Sequence, residues 1–211
     1  MDLSGKFESH YTVAADHDQP IRPLQDAAAA LGLKLTHIVL HCGVHPSQPM
    51  LTRHGSGSLS DELDKARQAT HALAERGWVV NRVKIEASID NEHVPNSDEV
   101  ANSMDRICHF EHHIKLILGA SVDLQAIIDR VHPCHAHVSR NALRTRTDGR
   151  QERFITQRCY GVGSNSAGLQ LQELLNRLKL AEYEIVGVER EYVAYDSNVS
   201  LDAGWIEGSQ G

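Results

Sequence analysis

Two short segments of the chain repeat a set of residues that can do acid–base chemistry. Phe7-Glu8-Ser9-His10 is followed about a hundred residues later by Phe110-Glu111-His112-His113. Each segment places a carboxylate and an imidazole two residues apart, on the same side of an extended strand. An imidazole that titrates near neutral pH can act as a general base or a general acid. We therefore predict that Glu8, His10, Glu111 and His113 are catalytic.

Further polar residues recur at matching places in the two halves of the chain. The alignment pairs residues 36–39 with 136–139 and residues 51–54 with 156–159. It adds His37 and His137 to the catalytic candidates. Basic and hydroxyl side chains on the same strand faces are predicted to bind a small anionic substrate through ionic and bidentate contacts. These substrate-binding candidates are Arg53, Arg158, Lys84, Lys115, Thr12 and Ser139.

Two tripeptides resemble a known catalytic motif. His10-Tyr11-Thr12 and His137-Val138-Ser139 are similar to the His-x-Thr/Ser motifs of the two-histidine (2H) phosphoesterases. Members of that family cleave cyclic or 2′,5′ phosphodiesters with one such motif in each lobe. The resemblance covers six residues and implies phosphoester chemistry. The internal repeat departs from it, because His10 and His137 fall on non-equivalent strands and Lys115 is the counterpart of Thr12.

The same residues also permit a divalent metal site. A Glu-x-His segment and a His from a neighbouring strand supply three oxygen and nitrogen ligands, the number used by a catalytic zinc or iron site that keeps one position open. Nearby Arg and Lys residues would repel a cation. The sequence therefore does not identify a cofactor, and a divalent metal is one option. The candidate ligands are Glu8, His10, His37, Glu111, His113 and His137.

The elements that must hold these residues follow from hydrophobic periodicity and turn residues. Ser60 and Ser121 are the candidate N-caps of two of the helices. In the first half, strands are predicted at 6–14, 34–42, 49–55 and 78–87, and helices at 21–31 and 60–76. In the second half, strands are predicted at 109–118, 134–141, 152–160 and 183–195, and helices at 122–131 and 166–180.

The element order predicts an α+β fold. Strand–helix–strand–strand–helix–strand is the order of a ferredoxin-like module, and its double occurrence predicts a tandem duplication. Each module is expected to form a four-stranded antiparallel sheet with both helices on one face, and the two modules to form a pseudo-dimer. Trp205 and Ile206 are expected to pack back onto a module. The predicted segments are a first module at 1–88, a linker at 89–108, a second module at 109–196 and a C-terminal tail at 197–211.

Alternation along the strands assigns the polar candidates to the faces that the helices leave open. A solvated sheet face would also be polar, so alternation alone does not distinguish a site from a hydrated surface. The repetition of His and Arg in both halves favours a site. If the two open faces meet, a shared groove is lined by Glu8, His10, His37, Arg53, Glu111, His113, His137 and Arg158.

Composition narrows the class of protein. The chain has 211 residues, of which 41% are hydrophobic and 23% charged, values typical of a globular protein. It contains no apolar run of about 18 residues, so no membrane partner is expected. The first residues lack a signal-peptide pattern, which predicts a cytoplasmic location. The net charge of −7 argues against broad nucleic-acid binding. No pattern indicates self-association.

Three functions are consistent with these observations. The first is an enzyme for a phosphate-bearing small molecule or nucleotide, with a His acid/base pair and an Arg anion clamp for phosphoester hydrolysis or transfer. Two Gly/Ser turns, at 55–58 and 161–164, would present backbone N–H groups to the anion. The second is a divalent-metal enzyme. The third is a non-enzymatic module for ligand binding or assembly.

Overall fold

The computed structural model of the chain describes residues 2–14, 21–144 and 146–206. Within these ranges it has eight strands, five α-helices and two 3-10 helices at His132–Cys134 and Val199–Asp202. The strands are β1 Ser4–Val13, β2 Lys34–Leu40, β3 Ser47–Ser58, β4 Val80–Ser88, β5 His109–Leu118, β6 Ala136–Asn141, β7 Gln151–Tyr160 and β8 Glu184–Asp196. The helices are α1 Ile21–Ala30, α2 Leu59–Ala74, α3 Asp98–Asn102, α4 Leu124–Val131 and α5 Ser164–Leu180.

Each predicted strand and helix is present within a few residues of its predicted bounds. The short helix α3, inside the predicted linker, was missed because its five residues are too few to show a period. Two N-caps also differ. Ser58 rather than Ser60 caps α2, in a reciprocal capping box with Asp61. Asp123 rather than Ser121 caps α4.

The eight strands form one closed barrel instead of two separate sheets. Their order is β1-β3-β2-β6-β7-β5-β8-β4, and every neighbouring pair is antiparallel. The halves join where β2 pairs with β6 over Ile38–Leu40 and where β4 pairs with β8 over Lys84–Ser88. Closure satisfies backbone N–H and C=O groups that two separate sheets would leave unpaired at their edges. The mixed α+β fold with antiparallel strands is as predicted.

The helices cover the outside of the barrel. Outward apolar side chains of the strands pack against α1 and α2 in the first half and against α4 and α5 in the second half. Phe110 and Tyr192 of the second half belong to the same apolar cluster as Phe7 and Tyr11 of the first half. The outer core therefore crosses from one half to the other. Within the described ranges no helix combines the length and hydropathy needed to cross a membrane.

The segment after β8 returns to the barrel. Trp205 and Ile206 form a small apolar cluster with Leu40. The indole N–H of Trp205 donates to the carbonyl oxygen of Val138 at 3.1 Å. The prediction that Trp205 and Ile206 pack back is confirmed, and residues 207–211 of the predicted tail lie outside the described residues.

Candidate functional site

The barrel encloses a cavity of about 640 Å³ that is lined by side chains from all eight strands. We call this cavity the lumen. It is formed by side chains that alternate with the outward apolar set, because successive residues of a strand face opposite sides. An eight-stranded barrel of this kind has room for filling side chains or for one small ligand. The faces predicted to be open are thus largely the inside of the barrel.

Two histidines occupy corresponding positions in the two halves of the lumen. Nδ1 of His10 lies 2.9 Å from Oγ1 of Thr52, and Nδ1 of His113 lies 3.1 Å from Oγ1 of Thr156. Each histidine is also directly opposite its threonine in the strand register. Each hydroxyl orients its ring, which leaves both Nε2 atoms to face carboxylates.

His10 faces the carboxylate of Glu86, which is almost fully buried. Nε2 of His10 lies 2.5 Å from Oε2 of Glu86, and Nζ of Lys84 lies 2.6 Å from Oε1. Burial by itself would raise the pKa of Glu86. The positive charge of Lys84 and then the contact with His10 outweigh burial and hold the pKa of Glu86 well below its usual range. Glu86 is therefore ionised at neutral pH.

His113 lies between two other carboxyl groups. Its Nε2 is 3.2 Å from Oε1 of Glu111 and 3.6 Å from Oε2 of Glu191. Burial would lower the pKa of His113, but its contact with Glu111 raises that pKa to about 9. Burial and then the negative charge of Glu86 raise the pKa of Glu191 to about 9. At neutral pH His113 and Glu191 therefore each hold a proton.

Two buried arginines, one from each half, bind Asp202 of the returning segment. Nη1 of Arg82 donates to Oδ2 of Asp202 at 2.9 Å, and Nη2 of Arg158 donates to the same oxygen at 2.8 Å. Arg82 also binds Asp196 at 2.5 Å, and Nε of Arg158 donates to Glu111 at 2.5 Å. Burial opposes ionisation, yet Arg158 and Arg82 lower the pKa of Asp202 to about 2. The charge network, as we name it, consists of Arg82, Lys84, Glu86, Glu111, Arg158, Glu191, Asp196 and Asp202.

The lumen has a charged side and a largely uncharged side. The charged side is formed by the adjacent strands β5, β8, β4 and β1. Its residues are Glu111, His113, Lys115, Glu189, Glu191, Arg82, Lys84, Glu86, Glu8 and His10. On β3, β2, β6 and β7 most lining residues are apolar, hydroxyl or amide side chains, namely Met50, Thr52, Thr36, Ile38, Leu40, Ser139, Asn141, Phe154 and Thr156.

Most of the predicted site residues line the lumen. His137 faces the same side of the sheet as its register partner Thr156. Its ring centroid lies 5.7 Å from that of Trp205. Burial and then Arg158 lower the pKa of His137 to about 4, so this ring is neutral at neutral pH. The lining residues among the predictions are Glu8, His10, Thr12, Lys84, Glu111, His113, Lys115, Ser139 and Arg158.

The predicted position of Arg53 is wrong. Arg53 lies opposite Ser9 in the β1–β3 register and so faces the helices, where its guanidinium forms an ion pair with Glu62 of α2. In the strand registers the counterpart of Arg158 is His54. The sequence alignment of β3 with β7 was one residue out of register, and a slip of one residue moves a side chain to the other face of a sheet.

The predicted face of His37 is also wrong. Its Nε2 lies 2.8 Å from Oγ of Ser47, and its neighbours Ile38 and Leu40 point into the lumen instead. The apolar side of β2 was expected to pack on helices. It packs inside the barrel because Trp205 supplies an apolar partner there.

The two His-x-Thr/Ser tripeptides do not occupy corresponding positions. The strand registers match His10 with His113, and they match His137 with Lys34. The arrangement of one motif per lobe that the phosphoesterase resemblance implied is therefore absent from these residues. The sequence alignment of β2 with β6 was out of register as well.

The Gly/Ser turns bind carboxylates of the chain itself. The backbone N–H of Gly163 and the hydroxyl of Ser166 donate to Asp98 at 2.8 and 3.0 Å. The backbone N–H of Ser58 donates to Asp61 at 3.3 Å. Gly163 and Ser58 are the N-caps of α5 and α2, so the N–H groups of these two residues already have acceptors within the chain.

The predicted metal-ligand sets are not assembled as proposed, because His37 faces away from the lumen and Glu111, His113 and His137 do not converge on one point within the described residues. Among the described residues, one group of potential ligands has its atoms within 4.8 Å of one another, namely Glu86, His113 and Glu191. Carboxylate and imidazole groups suit a divalent ion. However, Nζ of Lys84 lies 2.6 Å from Oε1 of Glu86 and already neutralises that oxygen.

Glu86 and Glu191 line the lumen, on the faces that alternation along β4 and β8 gives them, but neither was among the predicted site residues. Neither belongs to a repeated Glu-x-His segment. A signal was nevertheless present, because Glu86 lies opposite Glu8 and Glu191 lies opposite Glu111. Like charges directly opposite each other destabilise an ordinary sheet. Their occurrence in both halves is therefore unusual for a solvated face and could have identified the pair.

Comparisons with known proteins give no family. No family model and no curated protein matches the chain. The acetolactate synthase small subunit from Thermotoga maritima aligns with 90% of this chain and 98% of that chain, at 15% identity and a TM-score of 0.28. Chlorite dismutase from Candidatus Nitrospira defluvii aligns with 91% of this chain and 92% of that chain, at 12% identity and a TM-score of 0.29. Scores this low support no inference about activity.

Proposed function

We propose that this chain is an enzyme that performs a proton-transfer reaction on a small molecule bound in the lumen. The main observation supporting this proposal is the pair of neighbouring carboxyl groups of Glu86 and Glu191. Their carboxyl oxygens lie within 4.8 Å of each other and of a ring nitrogen of His113. The pKa of Glu86 is lowered while that of Glu191 is raised. Neighbouring carboxyls whose pKa values are driven apart are the usual basis of acid and base roles in enzymes.

The geometry supports a distinct role for each group. Glu86 is the base, and the His10 ring at 2.5 Å orients its carboxylate. Glu191 is the acid, because it keeps a proton at neutral pH. His113 carries a positive charge that can stabilise negative charge as it develops on the substrate. A substrate in the lumen can lose a proton to Glu86 and receive one from Glu191, and proton count is conserved.

We infer further that the two halves, 1–88 and 109–196, derive from one duplicated module. The matched His–Thr pairs and the matched Glu–Glu pairs support this inference. The register partner of His10 on β4 is Lys84, and that of His113 on β8 is Glu189. One half therefore has a cation where the other has a carboxylate. This exchange supports opposite protonation of the corresponding residues Glu86 and Glu191.

Phosphoester hydrolysis is less favoured by the geometry. An anion clamp needs a cation that is free to meet the substrate. Within the described residues, every lumen lysine and arginine other than the exposed Lys34 and Arg144 is ion-paired to a carboxylate. The pairs are Arg82–Asp196, Arg82–Asp202, Lys84–Glu86, Lys84–Glu111, Lys115–Glu152, Arg158–Glu111 and Arg158–Asp202.

The proposal is tested by incubating the full chain in D₂O with pools of small organic molecules. Mass spectrometry then reports conversion or deuterium incorporation. General acid–base catalysis contributes about 10²- to 10⁴-fold, so Glu86→Gln and Glu191→Gln should each lower the rate by at least about 100-fold. Glu173→Gln, on the exposed face of α5, is the matched control and should retain the wild-type rate.

The outcome also separates the alternatives. A molecule that binds the wild-type chain and leaves it unchanged, without deuterium incorporation, would support the non-enzymatic alternative and contradict the proposal. A divalent-metal enzyme is a second candidate, favoured by the clustering of Glu86, His113 and Glu191. It requires stoichiometric binding of Zn²⁺ or Mn²⁺ that His113→Asn abolishes, measured by calorimetry. Wild-type activity that persists after chelation would argue against it.

A further inference from the structure

The charge network contains more carboxyl groups than cations. Its cations are three buried side chains, and its carboxyl groups number five. Protons on His113 and Glu191 compensate the difference at neutral pH. With those protons the network as a whole is neutral, and the negative charge that a cationic ligand would meet comes from Glu86 and from the carboxyl groups at the approach to the lumen, Glu8 and Glu189. The cations are Arg82, Lys84 and Arg158, and the carboxyl groups are Glu86, Glu111, Glu191, Asp196 and Asp202.

The approach to this region is also acidic. A depression of about 380 Å³ shares five lining residues with the lumen, four of them glutamates. Its basic residues, Lys6 and Arg190, are exposed to solvent. A cleft lined mainly by one sign of charge raises the local concentration of oppositely charged ligands. The shared residues are Glu8, His54, Glu86, Glu189 and Glu191.

The largely uncharged side of the lumen faces the charged side. Four apolar side chains there, Ile38, Leu40, Met50 and Phe154, are joined by Trp205 at the end where the returning segment packs. Ligand sites of a few hundred Å³ are usually lined in this way, by apolar side chains with a few polar groups that fix orientation. Two further basic residues on this side, Lys34 and Arg144, are solvent-exposed.

We propose that the ligand of the lumen is an amphipathic organic cation. Its protonated nitrogen would lie between Glu86 and Glu191, and its apolar body would pack against Met50 and Phe154. An organic anion would meet the carboxylates of Glu86 and Glu111, and the nearby cations Lys84 and His113 are already paired with these carboxylates. The inference deepens the proposed function, on which it rests, by naming the chemical class of the substrate.

Three compounds of one size test the proposal on the full chain. Benzylamine, benzyl alcohol and benzoate share an aromatic body and differ in charge. Isothermal titration calorimetry near neutral pH should give a Kd for benzylamine at least about ten-fold below that for benzyl alcohol, with no measurable binding of benzoate. Glu191→Lys, which places a cation beside Glu86, should weaken benzylamine by at least about ten-fold and change benzyl alcohol little. Glu173→Gln should change neither.

A second variant keeps the test decisive if Glu191→Lys is poorly folded. Glu8→Gln changes a half-exposed carboxyl at the acidic approach and should weaken benzylamine by a few-fold. Benzoate binding as tightly as benzylamine, or equal benzylamine affinity in all variants, would overturn the inference. Neither result would affect the proposed function, because the D₂O assay scores turnover whatever the charge of the ligand. Tight benzylamine binding without turnover of any molecule would support the inferred class of ligand and contradict the proposed function.

Discussion

At the scale of single residues, the buried charges of the lumen are costly to keep. An ion pair inside a protein loses solvation, and well-packed apolar residues often serve stability equally well. Removing one partner is different, because the other charge remains buried and uncompensated. The presence of this charge network in the lumen is therefore better explained by a role in binding or catalysis than by stability, and it makes a clear prediction for each shared carboxylate.

Glu111→Gln should destabilise the fold strongly. Glu111 binds Nζ of Lys84 at 2.7 Å and Nε of Arg158 at 2.5 Å, so the variant leaves two buried cations short of a partner. We expect the free energy of unfolding in urea to fall by about 3 to 5 kcal/mol. Glu173→Gln, which removes an exposed ion pair with Arg177, should change it by no more than about 0.5 kcal/mol. Equal effects of the two variants would contradict this account.

The protonation of His113 predicts a pH dependence of stability. The pKa of His113 rises from 6.5 to about 9 on folding, so its contribution is complete below pH 6.5 and is lost as the pH rises through 9. Glu191 acts in the same direction, because folding raises its pKa above 4.5 and ionisation then costs stability. Because each unit of pKa shift corresponds to about 1.4 kcal/mol, the free energy of unfolding should fall by at least about 3 kcal/mol between about pH 6 and pH 9.

Urea denaturation at several pH values measures this slope. His113→Asn removes one of the two titrating groups and should flatten the profile, whereas His71→Asn, an exposed control on α2, should leave the slope unchanged. A wild-type stability that rises over the same pH range would have the wrong sign and would refute the assigned protonation states.

At the scale of elements, the sequence was informative about strands and helices but less so about their faces. β1, β4 and β5 alternate clearly between apolar and polar residues, so their lumen sides were predicted correctly. In β2 the polar His37 lies outward and the apolar Ile38 lies inward. Periodicity cannot reveal that reversal, because the apolar partner of Ile38 comes from the distant segment around Trp205.

The contact between the linker and α5 gives a matched pair of glycine variants. A Cβ on Gly163 would lie 2.4 Å from the backbone nitrogen of Ser97, whereas a Cβ on Gly168 meets its nearest atom at 3.8 Å, on Arg190. Gly163→Ala should lower the thermal unfolding midpoint and cost about 1 to 3 kcal/mol through overpacking. Gly168→Ala, inside α5, should stabilise by up to about 1 kcal/mol through helix propensity. If Gly163→Ala leaves the unfolding midpoint unchanged, the linker can move away from the added methyl group.

The returning segment should hold the two halves together through Asp202. Asp202 accepts hydrogen bonds from Arg82 of the first half and Arg158 of the second half. Asp202→Asn should therefore cost about 3 kcal/mol in urea denaturation, since both guanidinium groups lose their shared anion. Ser200→Ala, whose hydroxyl contacts Asn198 at the surface, is the control and should have little effect. If Asp202→Asn cost as little stability as the control, Asp202 would not link the two halves.

At the scale of the whole molecule, the closed barrel was the feature that the sequence could not provide. Hydrophobic patterns assign the faces of each strand, but strand edges carry no comparable signal. The β2–β6 and β4–β8 seams join strands that are far apart in the chain, and each is held by few residue pairs. The same limit applies to the site, because Glu86 and Glu191 become neighbours only when β4 pairs with β8.

The seams predict that the halves unfold together, although each has a module-like element order. Lys84 of the first half binds Glu111 of the second half at 2.7 Å, and Phe7 shares an apolar cluster with Phe110. Calorimetry of the full chain should therefore show one transition, with calorimetric and van't Hoff enthalpies equal within error. Lys84→Met should lower the midpoint of that transition without splitting it, because the seams and the apolar cluster still couple the halves. Two resolved transitions in the wild-type chain would mean that 1–88 and 109–196 are independent domains, and a site built from Glu86 and Glu191 would then lack the rigid frame that catalysis requires.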